Sequence, residues 1–173
     1  MHVTRLALSR STAPVKVSAY ESLIRPLVEY SSSVWDPYLV GQINTVEKVQ
    51  RQAARFCLNR YKKNDSVSEM INELNWTSLA SRRKASRLAI FCKAFNNDEC
   101  LQDISSLIVQ APDQRLRHSH PFRVQSITCK KDIGQYSFLP RSIREWNALP
   151  KDSLTPEIVS SHTALREFLL NNR

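Results

Sequence analysis

The chain is poor in glycine: only Gly41 and Gly134 occur in 173 residues. Loops that bind dinucleotides or nucleotide phosphates need clustered glycines, because backbone N–H groups must approach a phosphate closely. Two isolated glycines therefore exclude a Rossmann or P-loop phosphate site. The same scarcity argues against a β-rich fold with many tight turns.

Metal-binding cysteine motifs are also absent. The chain has four cysteines, and no two of them form a C-x-x-C pair. Free thiols in a reducing compartment are the simplest interpretation. A zinc site would need a set of residues whose spacings match no zinc ribbon or knuckle: Cys92, Cys100, His118, His120 and Cys129. The sequence therefore predicts no metal ion and no cofactor.

The chain lacks long apolar runs. No segment reaches the roughly 18 uninterrupted apolar residues of a membrane span, and the N-terminus has no apolar signal core. We therefore expect an intracellular protein, nuclear or cytoplasmic and not secreted, with no membrane partner. Hydrophobic residues make up 42% of the chain, which is enough for a packed core.

Paired catalytic carboxylates are missing too. The sequence contains no Asp-Asp pair, and Asp98 and Glu99 are neighbours only within a polar junction. Two-metal phosphoryl transfer needs carboxylates that converge on ions about 4 Å apart. No serine or cysteine stands in a nucleophile elbow. We therefore predict no catalytic residues and no enzymatic activity for this chain.

Positive charge is abundant and concentrated. The formal net charge is +9, from 25 basic and 16 acidic residues. Between Glu47 and Lys93 there are eleven basic and four acidic residues, and eleven minus four gives +7 of that total. Such a concentration favours contact with a polyanion such as nucleic acid.

The apolar spacing predicts a mostly α fold: a small bundle of about five to seven helices with an irregular, partly extended C-terminal section. We expect a disordered or truncated lead-in over 1–14, a helical domain over 15–97 and a C-terminal extension over 98–173. The predicted helices are 15–30, divided at Pro26, then about 41–59, a short helix capped by Ser66 and Glu69, about 78–95, a short one near 101–108, 140–148 and 164–170. Residues 122–129 are predicted to be extended.

Six cations are the candidate nucleic-acid-binding residues. Their spacing predicts that they face outward on two neighbouring helices: Lys48, Arg51, Arg55, Arg82, Arg83 and Arg87. A solvated helix face, or pairing with nearby glutamates, would account for the same cations. Trp35, Trp76 and Trp146 sit among apolar neighbours, which favours core packing over base stacking.

Four strings carry a family resemblance. They are Y-E-S-L-I-R-P-L-V-E-Y-S-S-S-V-W (20–35), V-E-K-V-Q-R-Q-A-A-R-F (46–56), L-N-W-T-S-L-A-S-R-R (74–83) and F-L-P-R-S-I-R-E-W-N-A-L-P (138–150). In this order and spacing they resemble the region after the palm in LINE-type (non-LTR) retrotransposon reverse transcriptases of the jockey-like and chicken-repeat-like clades. The resemblance covers about residues 15–170.

The resemblance implies a piece of an RNA-directed DNA polymerase. The family's catalytic carboxylates lie upstream, in an aromatic-x-Asp-Asp turn that this sequence lacks. It therefore implies a non-catalytic, thumb-like unit that holds the backbone of an RNA–DNA or DNA duplex without sequence preference, and that meets a palm domain. The alternative is an inactive truncated remnant, or a helical protein-interaction module without nucleic-acid binding, that exposes apolar surface and self-associates.

Overall fold

A computed structural model describes residues 7–62, 64–112, 120–150 and 154–171. The chain forms two compact units, Met1–Arg83 and Lys84–Arg173. The division falls inside a helix, whereas the sequence suggested a boundary after residue 97. Each unit is described by itself.

The first unit is helical. Its helices are α1 (Ala13–Ala19), α2 (Arg25–Glu29), α3 (Ser32–Trp35), α4 (Val40–Leu58), α5 (Val67–Glu73) and the start of α6 (Leu79–Phe95). A π-helical turn, Tyr20–Ile24, joins α1 to α2, and Pro26 lies in the first turn of α2. The helix predicted over 15–30 is therefore interrupted by the π-helical turn that precedes Pro26, and not at the proline itself.

The second unit continues α6 and adds short helices. They are a 3₁₀ turn (Glu99–Leu101), α7 (Gln102–Ser105), α8 (Asp132–Gln135), α9 (Phe138–Asn147), α10 (Pro156–Ser160) and α11 (His162–Asn171). The mostly helical class is confirmed, and the described residues contain no β-strand. The predicted count of five to seven helices is too low, because several helices of one or two turns carry no apolar period of their own.

Asparagine ends the helices of this glycine-poor chain. Asn59, Asn75 and Asn97 have φ values of 54°, 53° and 56°, the left-handed conformation that usually calls for glycine. Each closes the end of α4, α5 or α6 with a hydrogen bond from the next residue's N–H to the carbonyl five residues back. This is the Schellman arrangement.

Each unit has its own apolar core. The first is built from Tyr20, Ala53, Ala54, Cys57, Met70 and Trp76. The second is built from Leu88, Phe91, Cys92, Val124, Ile143, Trp146, Leu149, Leu154, Val159 and Leu165. The buried positions of Cys57, Cys92, Ile143 and Trp146 agree with the periodicity of the sequence.

The segment predicted to be extended, 122–129, forms only one isolated antiparallel bridge, between Val124 and Gln110. At this bridge the N–H of Ala111 donates to the carbonyl of Arg123 at 2.9 Å, and the N–H of Gln125 donates to the carbonyl of Val109 at 2.8 Å. Side chains of α9 bind the other edge of the segment. Trp146 Nε1 donates to the carbonyl of Phe122 at 2.8 Å, and Asn147 bonds both backbone groups of Val124. Among the described residues no helix is long and apolar enough to cross a membrane.

Candidate nucleic-acid interface

Helix α4 presents three cations on one side. Lys48 and Arg51 are exposed and Arg55 is partly exposed. Positions i, i+3 and i+7 of a helix lie above one another on successive turns. Arg51 donates to Asn44 Oδ1 at 3.4 Å, and no described carboxylate forms a salt bridge with any of the three cations. Their charge therefore faces solvent without an internal counterion.

Glu47 lies next to Lys48 in the sequence but serves another helix. Its Oε1 accepts a hydrogen bond from the backbone N–H of Ala80 at 2.7 Å. A carboxylate at this position accepts from an otherwise unpaired N–H in the first turn of α6. Its negative charge also interacts favourably with the positive end of the helix dipole. Glu47 therefore forms no ion pair with Lys48, although pairing with a nearby glutamate was one interpretation of this cation.

The opposite side of α4 fixes its orientation. Ala53, Ala54 and Cys57 are buried in the first core. Gln50 is also buried, and its Nε2 donates to the carbonyl of Thr77 at 3.1 Å. Burial also raises the pKa of the Cys57 thiol to about 11, so it stays protonated and unreactive near neutral pH. Small alanine side chains let α4 approach its neighbours closely, which turns the cationic side outward.

Arg82 and Arg83 of α6 do not face outward, and this prediction is wrong. Arg82 forms a two-pronged ion pair with Glu29, with Nη2 3.1 Å from Oε2. The hydrogen bonds that Arg82 donates to the Glu29 carboxylate raise the pKa of Arg82. Arg83 is 1% exposed, and its Nε donates to Asp36 Oδ1 at 2.8 Å. Both guanidinium groups serve the packing of the first unit.

The prediction that Arg87 faces outward is also wrong. Its side chain is 2% exposed, and Nη2 pairs with Glu145 of α9. The other carboxylate oxygen of Glu145 accepts from Arg141 Nε at 3.3 Å. Lys84, which follows Arg83 in α6, is exposed, unlike the three predicted arginines of this helix. Counting charges along α6 missed this, because the acidic partners lie 53, 47 and 58 residues away in sequence.

The tryptophans divide between core and surface. Trp76 and Trp146 are 5% and 0% exposed, so their predicted core positions are confirmed. Trp35 is 41% exposed, against the prediction. Its indole N–H donates to the carbonyl of Tyr30 at 2.7 Å, and the Arg83 guanidinium lies 5.8 Å from its ring centre. Trp35 thus covers a buried cation while one edge meets solvent.

The residues considered for zinc have other contacts. Cys92 Sγ lies 3.1 Å from the carbonyl of Val159, and His120 Nε2 lies 3.0 Å from the carbonyl of Trp146. His118 lies outside the described residues. Within the described ranges, no group of three or more His, Cys, Asp and Glu side chains could hold a metal ion.

Comparisons with protein families, with curated proteins and with solved structures find no match to this chain. The likeness to LINE-type reverse transcriptases therefore rests on the four sequence strings alone.

Proposed function

We propose that this chain is a non-catalytic, thumb-like C-terminal part of a LINE-type reverse transcriptase, and that it holds the backbone of duplex nucleic acid through α4. The observation that carries the proposal is the cationic side of α4. Lys48, Arg51 and Arg55 have no carboxylate partner in the described residues, and Glu47 is engaged by α6. We call these three cations the α4 cationic face.

The spacing of the α4 cationic face suits a phosphate backbone. Seven residues separate Lys48 from Arg55, which is about 10 Å along a helix axis. One DNA strand advances about 3.4 Å per phosphate, so three cations can address successive phosphates. Such contacts release counterions and carry no sequence information. Binding should therefore be salt-dependent and indifferent to base sequence.

The ion-paired arginines of α6 have a different role in this proposal. Arg82, Arg83 and Arg87 hold helices together and are left out of the nucleic-acid interface. Chemistry would belong to a palm domain elsewhere in the polymerase, because this sequence has no Asp-Asp pair. This chain would bind the backbone of the primer–template duplex.

The test is fluorescence anisotropy with a 20-base-pair RNA–DNA hybrid and a DNA duplex of the same sequence. The variant Lys48→Gln/Arg51→Gln/Arg55→Gln keeps most of each side-chain stem and removes three charges. We expect it to bind about tenfold more weakly or worse near 0.1 M salt, because three phosphate contacts are lost.

The matched control is Lys84→Gln/Lys130→Gln/Lys131→Gln. These three lysines are exposed and lie outside α4. Replacing them removes the same net charge as the α4 variant does. We expect the control to retain most of the wild-type affinity. Equal losses in the two triple variants would reject a localised site and leave only a general effect of net charge.

The alternative function is an inactive remnant or a helical interaction module. One observation favours it: half of the six candidate cations are held in ion pairs and largely withdrawn from solvent. It predicts that the wild-type chain binds neither duplex, even at low salt, where phosphate contacts are strongest. The same anisotropy titration therefore separates the two functions.

A further inference from the structure

A groove in the second unit lies between α9 and the segment that follows Val124. It is lined by residues 126–129 of that segment and by Pro140, Ile143 and Arg144 of α9, and its volume is about 230 Å³. Sites that enclose a small molecule usually have volumes of roughly 300–1,000 Å³. The smaller groove suits a short stretch of chain that lies along it.

The segment side of the groove offers unpaired backbone groups. Residues 126–128 are exposed, and within the described part of the chain their N–H and C=O groups form no hydrogen bond. These groups are donors and acceptors in alternation. A phosphate presents acceptors only, whereas another extended peptide presents both kinds at the matching spacing.

The Asn147 amide shows on which side such a peptide would pair. It bonds the N–H and the C=O of Val124, as a neighbouring strand would. In an extended chain every second residue directs its backbone groups to the same side. Ser126 and Thr128, two and four residues after Val124, therefore direct theirs toward α9 and into the groove.

Helix α9 sets the length of the groove. Pro140, Ile143 and Asn147 are spaced three and four residues apart, so they lie along one side of the helix. Seven residues of helix span about 10 Å, which is the length of about three extended residues. Ile143 is buried and apolar, so it gives the groove a dry floor against which an aliphatic side chain can pack.

Arg144 supplies a cation at the groove. It is exposed, its guanidinium lies 5.1 Å from the ring centre of Tyr136, and no described carboxylate forms a salt bridge with it. Stacking on the ring restricts the planar group and leaves its N–H donors directed sideways. Such a guanidinium binds a carboxylate through two parallel hydrogen bonds.

We propose that this groove binds an extended peptide segment that carries a carboxylate side chain. The peptide adds as a strand to residues 126–128, beyond the point where Asn147 takes that place, and its carboxylate pairs with Arg144. Main-chain hydrogen bonds would supply affinity and the ion pair would supply selectivity. The site lies wholly within the second unit and does not depend on duplex binding by α4.

The experiment is a ¹⁵N–¹H NMR titration of the full chain with six blocked hexapeptides. They alternate threonine and valine, and one glutamate takes each position in turn. At least one peptide should shift the amide signals of Ser126 and Thr128 downfield and saturably below about 2 mM. Its glutamine version should bind about fivefold more weakly, as loss of an exposed ion pair predicts.

N-methylation of the bound peptide tests strand pairing directly. A methyl group removes one N–H donor, so methylation of the amides that face residues 126–128 should abolish the shifts. Methylation of the intervening amides, which face away, should be tolerated. A strand therefore predicts an effect at every second amide.

The variant Arg144→Gln should bind the glutamate peptide about fivefold more weakly and should not distinguish it from the glutamine version. The matched control is Lys131→Gln, because Lys131 is exposed and does not line the groove. It removes the same charge and should keep the wild-type affinity and the preference for glutamate.

Four results would overturn the proposal. They are the absence of shifts with all six peptides, an N-methylation effect without alternation, equal losses in Arg144→Gln and Lys131→Gln, and shifts of the same amides by a DNA duplex in place of the peptides. The last result would assign the groove to nucleic acid. Loss of duplex binding in the α4 variant has no bearing on these signals, so a failure of either proposal is recognised separately.

Discussion

Asn147 uses both ends of its side-chain amide to hold the backbone of Val124. Its Oδ1 accepts from the Val124 N–H at 3.0 Å, and its Nδ2 donates to the Val124 carbonyl at 2.7 Å. The amide thereby takes the place of a neighbouring strand. Val124 is 1% exposed, so water cannot replace these bonds. This contact explains why W-N stands at the end of α9.

Replacing Asn147 with alanine should therefore destabilise the protein. Two buried backbone groups of Val124 would lose their hydrogen-bond partner. Each unsatisfied group costs about 1–3 kcal/mol of stability before the structure relaxes. Asn147→Asp keeps an acceptor for the N–H but has no donor for the carbonyl. We expect the free energy of unfolding of Asn147→Asp to be lower than that of the wild type as well. Urea unfolding measures both, and wild-type stability in either variant would refute the contact.

The buried pair Arg83–Asp36 predicts a contrast with a surface pair. Removing one member, as in Arg83→Met or Asp36→Asn, should lower the free energy of unfolding by about 3–5 kcal/mol, because a buried charge is left uncompensated. The exposed Arg60–Glu73 pair, at 2.7 Å, should contribute only about 0–1 kcal/mol when Glu73 becomes Gln. Denaturant midpoints for the variants test this. Similar small losses at both pairs would show that Arg83 is not needed for folding.

The left-handed conformation of Asn59 predicts different effects for two substitutions at this position. Asn59→Ala should destabilise by about 1 kcal/mol, since a Cβ without a compensating side-chain hydrogen bond disfavours φ near +54°. Asn59→Gly should be neutral or slightly stabilising. Asn72→Ala in α5, where the backbone is helical, is the control and should not destabilise. If alanine and glycine behave alike at 59, the helix end does not depend on this conformation.

The burial of the His120 imidazole predicts a loss of stability on mild acidification. Burial lowers the pKa of His120, and nearby Arg123 lowers it further, while the bond to the Trp146 carbonyl acts in the opposite direction. The folded protein therefore keeps the ring neutral at a pH where the unfolded chain, with its ordinary pKa of about 6.5, takes up a proton. The unfolded state binds more protons in this range, so the free energy of unfolding falls as the pH drops below 6.5.

The measurement is urea unfolding at pH 7.5 and 5.5. His120→Gln should show a smaller decrease between these pH values than the wild type. The exposed His162 provides the control, and His162→Gln should keep the full pH dependence. An equal decrease in all three proteins would assign the effect to other groups.

Local pattern was sufficient to predict the two long helices. The apolar stripe from Ile43 to Cys57 predicted α4 to within a residue at each end. Ser78 accepts from the Ser81 N–H at 3.1 Å and begins α6, as the capping pattern indicated. These features depend on neighbours within four positions, which a sequence displays directly.

Whether the cations of α6 are exposed or ion-paired could not be predicted in the same way. Arg82, Arg83 and Arg87 looked exposed because no acid stands near them in sequence. Their partners approach only through tertiary packing, across 47 to 58 residues. The prediction for Trp35 failed for a related reason: the local sequence does not show that its ring lies over the Arg83 guanidinium, which comes from a distant part of the chain. The left-handed asparagines could have been expected from the lack of glycine, since α4 and α6 needed some residue to end them.

The α4 cationic face is tested most directly by the salt dependence of duplex binding. The logarithm of the association constant falls with the logarithm of salt concentration, with a slope of about −0.9 for each phosphate contact on DNA. Lys48→Gln/Arg51→Gln/Arg55→Gln should therefore flatten the wild-type slope by about 0.9 × 3, or 2.7, while Lys84→Gln/Lys130→Gln/Lys131→Gln leaves it nearly unchanged. A triple variant of α4 that keeps the wild-type slope would contradict the account.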